Sequence, residues 1–132
     1  MNKIIHQESV QVRWGDMDAL NHVNNAQYFS YMEQARVAWL YQVVGDISSQ
    51  TTGPVLASTS CQFIKPLHYP DHIDIKMIAG PLGCSSLPLY YEFFSEEQSE
   101  IVAKGESLLV WFDFLQKKSC AIPENIRQCI IG

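Results

Sequence analysis

Polar and apolar residues alternate from Glu8 to Trp14, with Val10, Val12 and Trp14 on one face and Ser9, Gln11 and Arg13 on the other. A period of two predicts a half-buried strand over 8–14. From about Asn25 to Val43 the period lengthens. Tyr28, Phe29, Met32, Ala35, Arg36, Trp39, Leu40 and Val43 recur at steps of three and four. This spacing predicts one helix of about five turns with a broad apolar stripe. Arg36 alone interrupts the stripe and is expected to be paired, with Glu33 along the helix or with a strand residue. Gly45 supplies a stop.

The small, polar segment 48–53 reads as a loop. Beyond Pro54, the residues Val55, Ala57, Thr59, Cys61 and Phe63 alternate with Leu56, Ser58, Ser60, Gln62 and Ile64. They predict a long strand with both faces partly buried, punctuated by Pro66 and Pro70. Ile73 to Ala79 and Leu87 to Phe93 alternate as a third and a fourth strand, separated by the turn Gly80-Pro81-Leu82-Gly83. Ile101 to Leu115 reads as a fifth strand, with Gly105 a bend or bulge. The tail after Pro123 predicts a short helical turn. One strand, one long helix and four strands joined by short turns make an α+β layout with antiparallel pairing. The curved sheet is the only partner available to bury the helix stripe.

Composition narrows the picture. A chain of 132 residues, 47% apolar, supports a single domain over 1–132 with its own core. Only 17% of residues are charged, few enough to point to surface hidden in an oligomer. A net charge of −5 argues against nucleic acid, which needs a basic footprint. The start MNKIIHQESVQV has neither the apolar core nor the cleavage site of a signal peptide. No apolar run reaches the roughly 20 residues that span a bilayer. No membrane span and a cytoplasmic location are therefore expected. Cys61, Cys84, Cys120 and Cys129 are widely spaced, as structural thiols rather than a zinc site. There is no Gly-x-Ser-x-Gly and no phosphate-cradling glycine motif.

The polar chemistry concentrates between the first strand and the helix. Residues 14–28 hold Asp16, Asp18, His22, Asn21, Asn24 and Asn25. A carboxylate beside a helix N-terminus can activate water or attack a carbonyl, while the free amides of the first turn hold the resulting oxyanion. Asn24 and Asn25 sit where such amides are expected, and where ordinary N-capping is equally served. His22 is placed to orient an acid, line a site or shape the loop. Tyr28, one turn on, serves as a pocket wall or as core. Asp16 reads as a structural carboxylate bonding loop amides or Arg13. Lys65 and Lys104 are candidates for meeting phosphates.

The run Asp18-Ala19-Leu20-Asn21-His22-Val23-Asn24-Asn25-Ala26-Gln27-Tyr28 resembles the signature of hotdog-fold acyl-CoA thioesterases of the 4-hydroxybenzoyl-CoA thioesterase type. Chain length, the early helix and the strand-rich remainder fit that family across nearly the whole chain. The resemblance implies a hotdog fold, one long helix wrapped by a curved, mainly antiparallel five-stranded sheet. It implies hydrolysis of an acyl thioester of coenzyme A or acyl carrier protein, with no cofactor or metal beyond the coenzyme A of the substrate. By the family pattern the catalytic carboxylate is Asp18, four residues before His22, rather than Asp16. His22, Asn24, Asn25 and Tyr28 become substrate-binding candidates. Thr59 and Ser60 join them, on a strand the family places near the active site of a neighbouring subunit in a dimer or tetramer. Hotdog hydratases and dehydratases carry a His before a Phe-Pro pair, which this chain lacks. A non-catalytic module that binds acyl thioesters is the other alternative.

Overall fold

A computed structural model describes residues 2–132. The elements run β1 (Lys3–Gln11), α1 (Asn25–Val44), β2 (Thr52–Phe63), β3 (His72–Ala79), β4 (Ser86–Ser95), β5 (Glu100–Asp113), β6 (Lys118–Ser119) and α2 (Glu124–Ile131). All strand pairs are antiparallel, in the order β1-β3-β4-β5-β2, with β6 hydrogen-bonded to the end of β5. The sheet curls around α1. Tyr28, Tyr31, Met32, Ala35, Trp39 and Leu40 join Ile75, Met77, Leu89, Tyr91, Phe93 and Val102 in one buried cluster.

The helix has the predicted extent and face. Asn24 caps it, its side-chain oxygen accepting from the Ala26 amide at 2.9 Å. Gly45 ends it at φ 76°, and its amide donates to the Tyr41 carbonyl. Tyr31 is also buried, although it stood outside the stripe read from the sequence.

The first strand departs from the expectation. It spans 3–11 rather than 8–14, and Trp14 lies 72% exposed in a 3-10 turn, Trp14–Asp16. Asp16 is the cause. Its carboxylate accepts from the Arg13 amide at 3.1 Å and turns the chain away from β3. The earlier half, Lys3 to Gln7, hid its strand character because a register shift between Ile4 and His6 breaks the alternation.

Four further corrections concern the sheet and the tail. β2 begins at Thr52 and is solvent-exposed along most of its length, because β5 is its only neighbour. The expected fifth strand stops at Asp113, whose side chain accepts from the Leu115 and Gln116 amides and starts a hairpin to β6. The tail is a two-turn helix rather than a short turn, and it buries Ile126 and Ile130. Gly105 is no bulge. A Cβ there would collide with Met32 Sδ of α1, so glycine permits the close approach of helix and sheet.

Candidate active site before the long helix

The loop from Trp14 to Asn24 is held by its own backbone. The Asp18 amide donates to the His22 carbonyl at 2.9 Å, and the Asn21 amide to the Asp18 carbonyl at 3.0 Å. Asn21 takes the left-handed conformation, φ 59°, which asparagine tolerates. Val23 is buried, and its amide donates to the Leu67 carbonyl at 2.8 Å. These bonds fix a short turn that carries Asp18 outward.

The two carboxylates of the turn have separate surroundings. Asp16 is 3% exposed. It accepts from Tyr31 Oη at 2.7 Å and faces Arg13 Nη2 at 3.2 Å. Burial alone pushes its carboxyl up. The bonds from Tyr31 and Arg13 and the Arg13 charge outweigh that and hold it below the usual carboxylate range. Asp18 is exposed. Its Oδ1 accepts from the Leu20 amide at 2.9 Å, and its Oδ2 accepts no hydrogen bond within the described residues.

Asp18 opens onto a groove of about 450 Å³ shared with His22, Val23, Asn25, Tyr28, Phe63, Ile64, Lys65 and Pro66. Five of the residues singled out from the sequence thus come together: Asp18, His22, Asn25, Tyr28 and Lys65. The His22 side chain is exposed and makes no hydrogen bond with the Asp18 carboxylate; its ring meets the edge of His68 at 4.9 Å. Tyr28 is both wall and core. It is 3% exposed and packs edge-on against Phe63 at 4.9 Å, and burial pushes its hydroxyl up to about 12.

Asn24 and Asn25 separate. The Asn24 amide is already committed to the Asp16 carbonyl at 2.9 Å, and its side chain to the Ala26 amide. The Asn25 amide has no acceptor among the described residues, so it is the free donor at the helix N-terminus. Thr59 and Ser60 are not in the groove. They lie on the free edge strand β2, where Thr59 Oγ1 is 3.0 Å from the Glu106 carbonyl and 3.1 Å from Ser107 Oγ. Lys65 borders the groove but is paired with Glu100 at 2.5 Å. Lys104 lies on another part of the sheet. Phe63, Ile64 and Pro66 were not singled out from the sequence. They reach the groove only because β2 ends beside the loop, a long-range placement without a local signal.

The family model of the thioesterase-like superfamily matches residues 12–130. The chain belongs to that superfamily. The fold of this thioesterase-like protein is similar to that of a candidate thioesterase from Pseudomonas aeruginosa, with 36% identity and a TM-score of 0.91 over 97% of this chain and 99% of that one. A candidate acyl-CoA thioesterase from Xanthomonas campestris is 35% identical, with a TM-score of 0.78 over 84% of this chain and 95% of that one. The Bacillus subtilis (strain 168) protein YsmA is 28% identical over 82 residues, 62% of this chain; the match spans only 56% of that protein's length. The architecture is the hotdog fold implied by the loop signature. No helix of the described residues is long and apolar enough to cross a membrane.

Proposed function

We propose that this protein is an acyl-CoA thioesterase of the cytoplasm, active as a homodimer or a tetramer built from such dimers. The observation that carries the reading is the joint presence, in one groove, of the unengaged Asp18 oxygen and the unengaged Asn25 amide. The thioester carbonyl points its oxygen at the Asn25 N–H, where the helix dipole and the free donor favour developing negative charge. Asp18 then acts on the carbonyl carbon. Either it attacks directly, releasing the thiolate and leaving a mixed anhydride for water to open, or it takes a proton from an attacking water. Both routes end in a carboxylate and a free thiol. His22 and Tyr28 border the reacting group without entering the proton transfer. The carrier is coenzyme A or acyl carrier protein.

The dimer follows from the exposed edge. β2 has one neighbour, and Val55, Leu56, Phe63 and Ile64 lie 36–46% exposed on and just beyond it. An unpaired, partly apolar edge strand invites pairing with its own copy. Antiparallel pairing centred on Thr59 and Ser60 sets Leu56 opposite Phe63 of the partner subunit. Each Asp18 groove is then walled by the other chain, and this gives Thr59 and Ser60 their part in substrate binding.

The test is thiol release from a panel of acyl-CoA esters, repeated with Asp18→Asn. Release by the wild type and its loss in the variant support the reading; equal rates in both overturn it. Light scattering and assay on dilution address the assembly. A fully active 15 kDa monomer would contradict the shared site.

A further inference from the structure

A second cavity, of about 370 Å³, lies between the C-terminal half of α1, the segment 46–51, the start of β2 and α2. Its walls are mostly apolar, with Val37, Leu40, Leu109, Trp111 and Ile126 among them. One cation enters it, Arg36, only 8% exposed. Arg36 Nη1 donates to Tyr91 Oη at 3.2 Å and to Ser107 Oγ at 3.4 Å, not to Glu33 as the helix spacing allowed. Both acceptors are neutral. Among the described residues no carboxylate forms an ion pair with this guanidinium.

The other nitrogens of Arg36 make no hydrogen bond, yet no fully buried polar side-chain atom of the described residues is left unpaired. Nε and Nη2 are therefore not fully enclosed by protein, and the spaces Arg36 lines, each shared with Glu33, are this cavity and a smaller one beside Thr59. Arginine keeps its charge throughout the physiological range. A buried cation without a counter-ion is costly, and the planar edge of a guanidinium matches a carboxylate bidentately. Glu33 also lines the cavity, but it is exposed and its charge is screened by water.

We infer that this cavity receives the far end of an acyl group that terminates in a carboxylate, held by Arg36, so that the substrates are monothioesters of dicarboxylic acids. The inference rests on the thioesterase reading. The same β2 pairing that sets Leu56 opposite Phe63 of the partner subunit brings this cavity of one subunit against the Asp18 groove of the other. Apolar walls hold the methylene chain and Arg36 selects its charged end.

The experiment compares succinyl-, glutaryl-, adipyl- and suberyl-CoA with methyl-ended acyl-CoA esters of equal length. At the best-fitting length the wild type should favour the charged ester in kcat/KM by about 30-fold or more, the scale for removing one partner of a buried charge pair. Arg36→Gln should bring that ratio close to one through KM and leave the methyl-ended esters within about threefold of their wild-type rate. A wild-type preference for methyl-ended esters, or a proportional loss on both series in Arg36→Gln, overturns the inference. Calorimetry on Asp18→Asn separates it from the thioesterase reading. Tighter binding of adipyl-CoA than hexanoyl-CoA supports the cavity assignment even if no ester is hydrolysed. Equal binding overturns it even if hydrolysis is intact.

Discussion

Asp16 and Asp18 stand two residues apart on one loop, and the inner side of that loop differs from the outer in burial and in hydrogen-bond partners. Asp16 is buried, with Tyr31 and Arg13 on its oxygens. Asp18 is exposed, with one oxygen unengaged and a free amide in the same groove. An acid whose oxygens are all occupied shapes the chain; an acid with an open oxygen beside a polarising donor can react. The loop needs both, because the Asp16 bonds turn the chain at Arg13 and so present Asp18 at the helix entrance.

The largest expected effect comes from the outer acid. Asp18→Asn keeps the shape but supplies neither base nor effective nucleophile, and kcat should fall about 10²- to 10⁴-fold with the melting temperature unchanged. Activity within threefold of wild type would remove Asp18 from the mechanism. Next comes the amide that faces it. Asn25→Pro deletes the free N–H at the first helical position, where proline is well tolerated, and Asn24 already has the extended backbone a following proline requires. A fall in kcat of about 10²- to 10³-fold in a normally folded variant is the signature of a lost oxyanion donor. A variant with unaltered kcat would move the donor role away from Asn25.

The outer half of this comparison was legible in the sequence and the inner half only partly so. Asp18, His22, Asn25 and Tyr28 are local: a strand-to-helix loop and one helical turn gather them whatever the rest of the fold does. The bonding of Asp16 to Arg13 read correctly because Arg13 lies three residues away. Tyr31 did not, since its bond to Asp16 depends on how the helix face meets the loop, and the position lay off the stripe. Arg36 read as a paired interruption, yet its partners, Tyr91 and Ser107, are 55 and 71 residues away. The end of β2 beside the groove and the hairpin to β6 likewise depend on sheet register, which no local period encodes.

The inner acid should act on stability rather than on rate. Asp16→Asn removes charge-assisted bonds from Tyr31 and Arg13 and should cost about 2 kcal/mol in denaturant unfolding, with kcat within about tenfold of wild type. Its folded-state carboxyl sits below its ordinary value of 3.8. The stabilisation it provides is therefore full above that value and is lost as pH falls through the folded pKa. The stability gap between wild type and Asp16→Asn should be constant from neutrality down to about pH 5 and close in more acidic solution. A larger effect on kcat than that of Asp18→Asn would reverse the assignment of the two acids.

Tyr31→Phe gives the smallest and most selective effect. The change removes one hydroxyl and leaves the ring in the core, while the Asp16 carboxylate retains Arg13. The expected loss is about 1 kcal/mol, since one charge-assisted bond disappears and its acceptor stays partly satisfied. Its pH dependence has the opposite sense to that of Asp16. Burial, and then the bond to Asp16 and its negative charge, raise the Tyr31 hydroxyl above its ordinary value of 10.0. The stabilisation is present below that value and lost as pH rises beyond it. Tyr28 is also raised, to about 12, and remains in the variant. Tyr31→Phe should therefore flatten the alkaline loss of stability only in part, and it should also weaken the acid limb, because the Tyr31 hydroxyl helps hold the Asp16 carboxyl down. Unfolding midpoints measured at pH 7 and pH 11 decide this: an unchanged difference between them would show that the Tyr31 hydroxyl does not couple to folding.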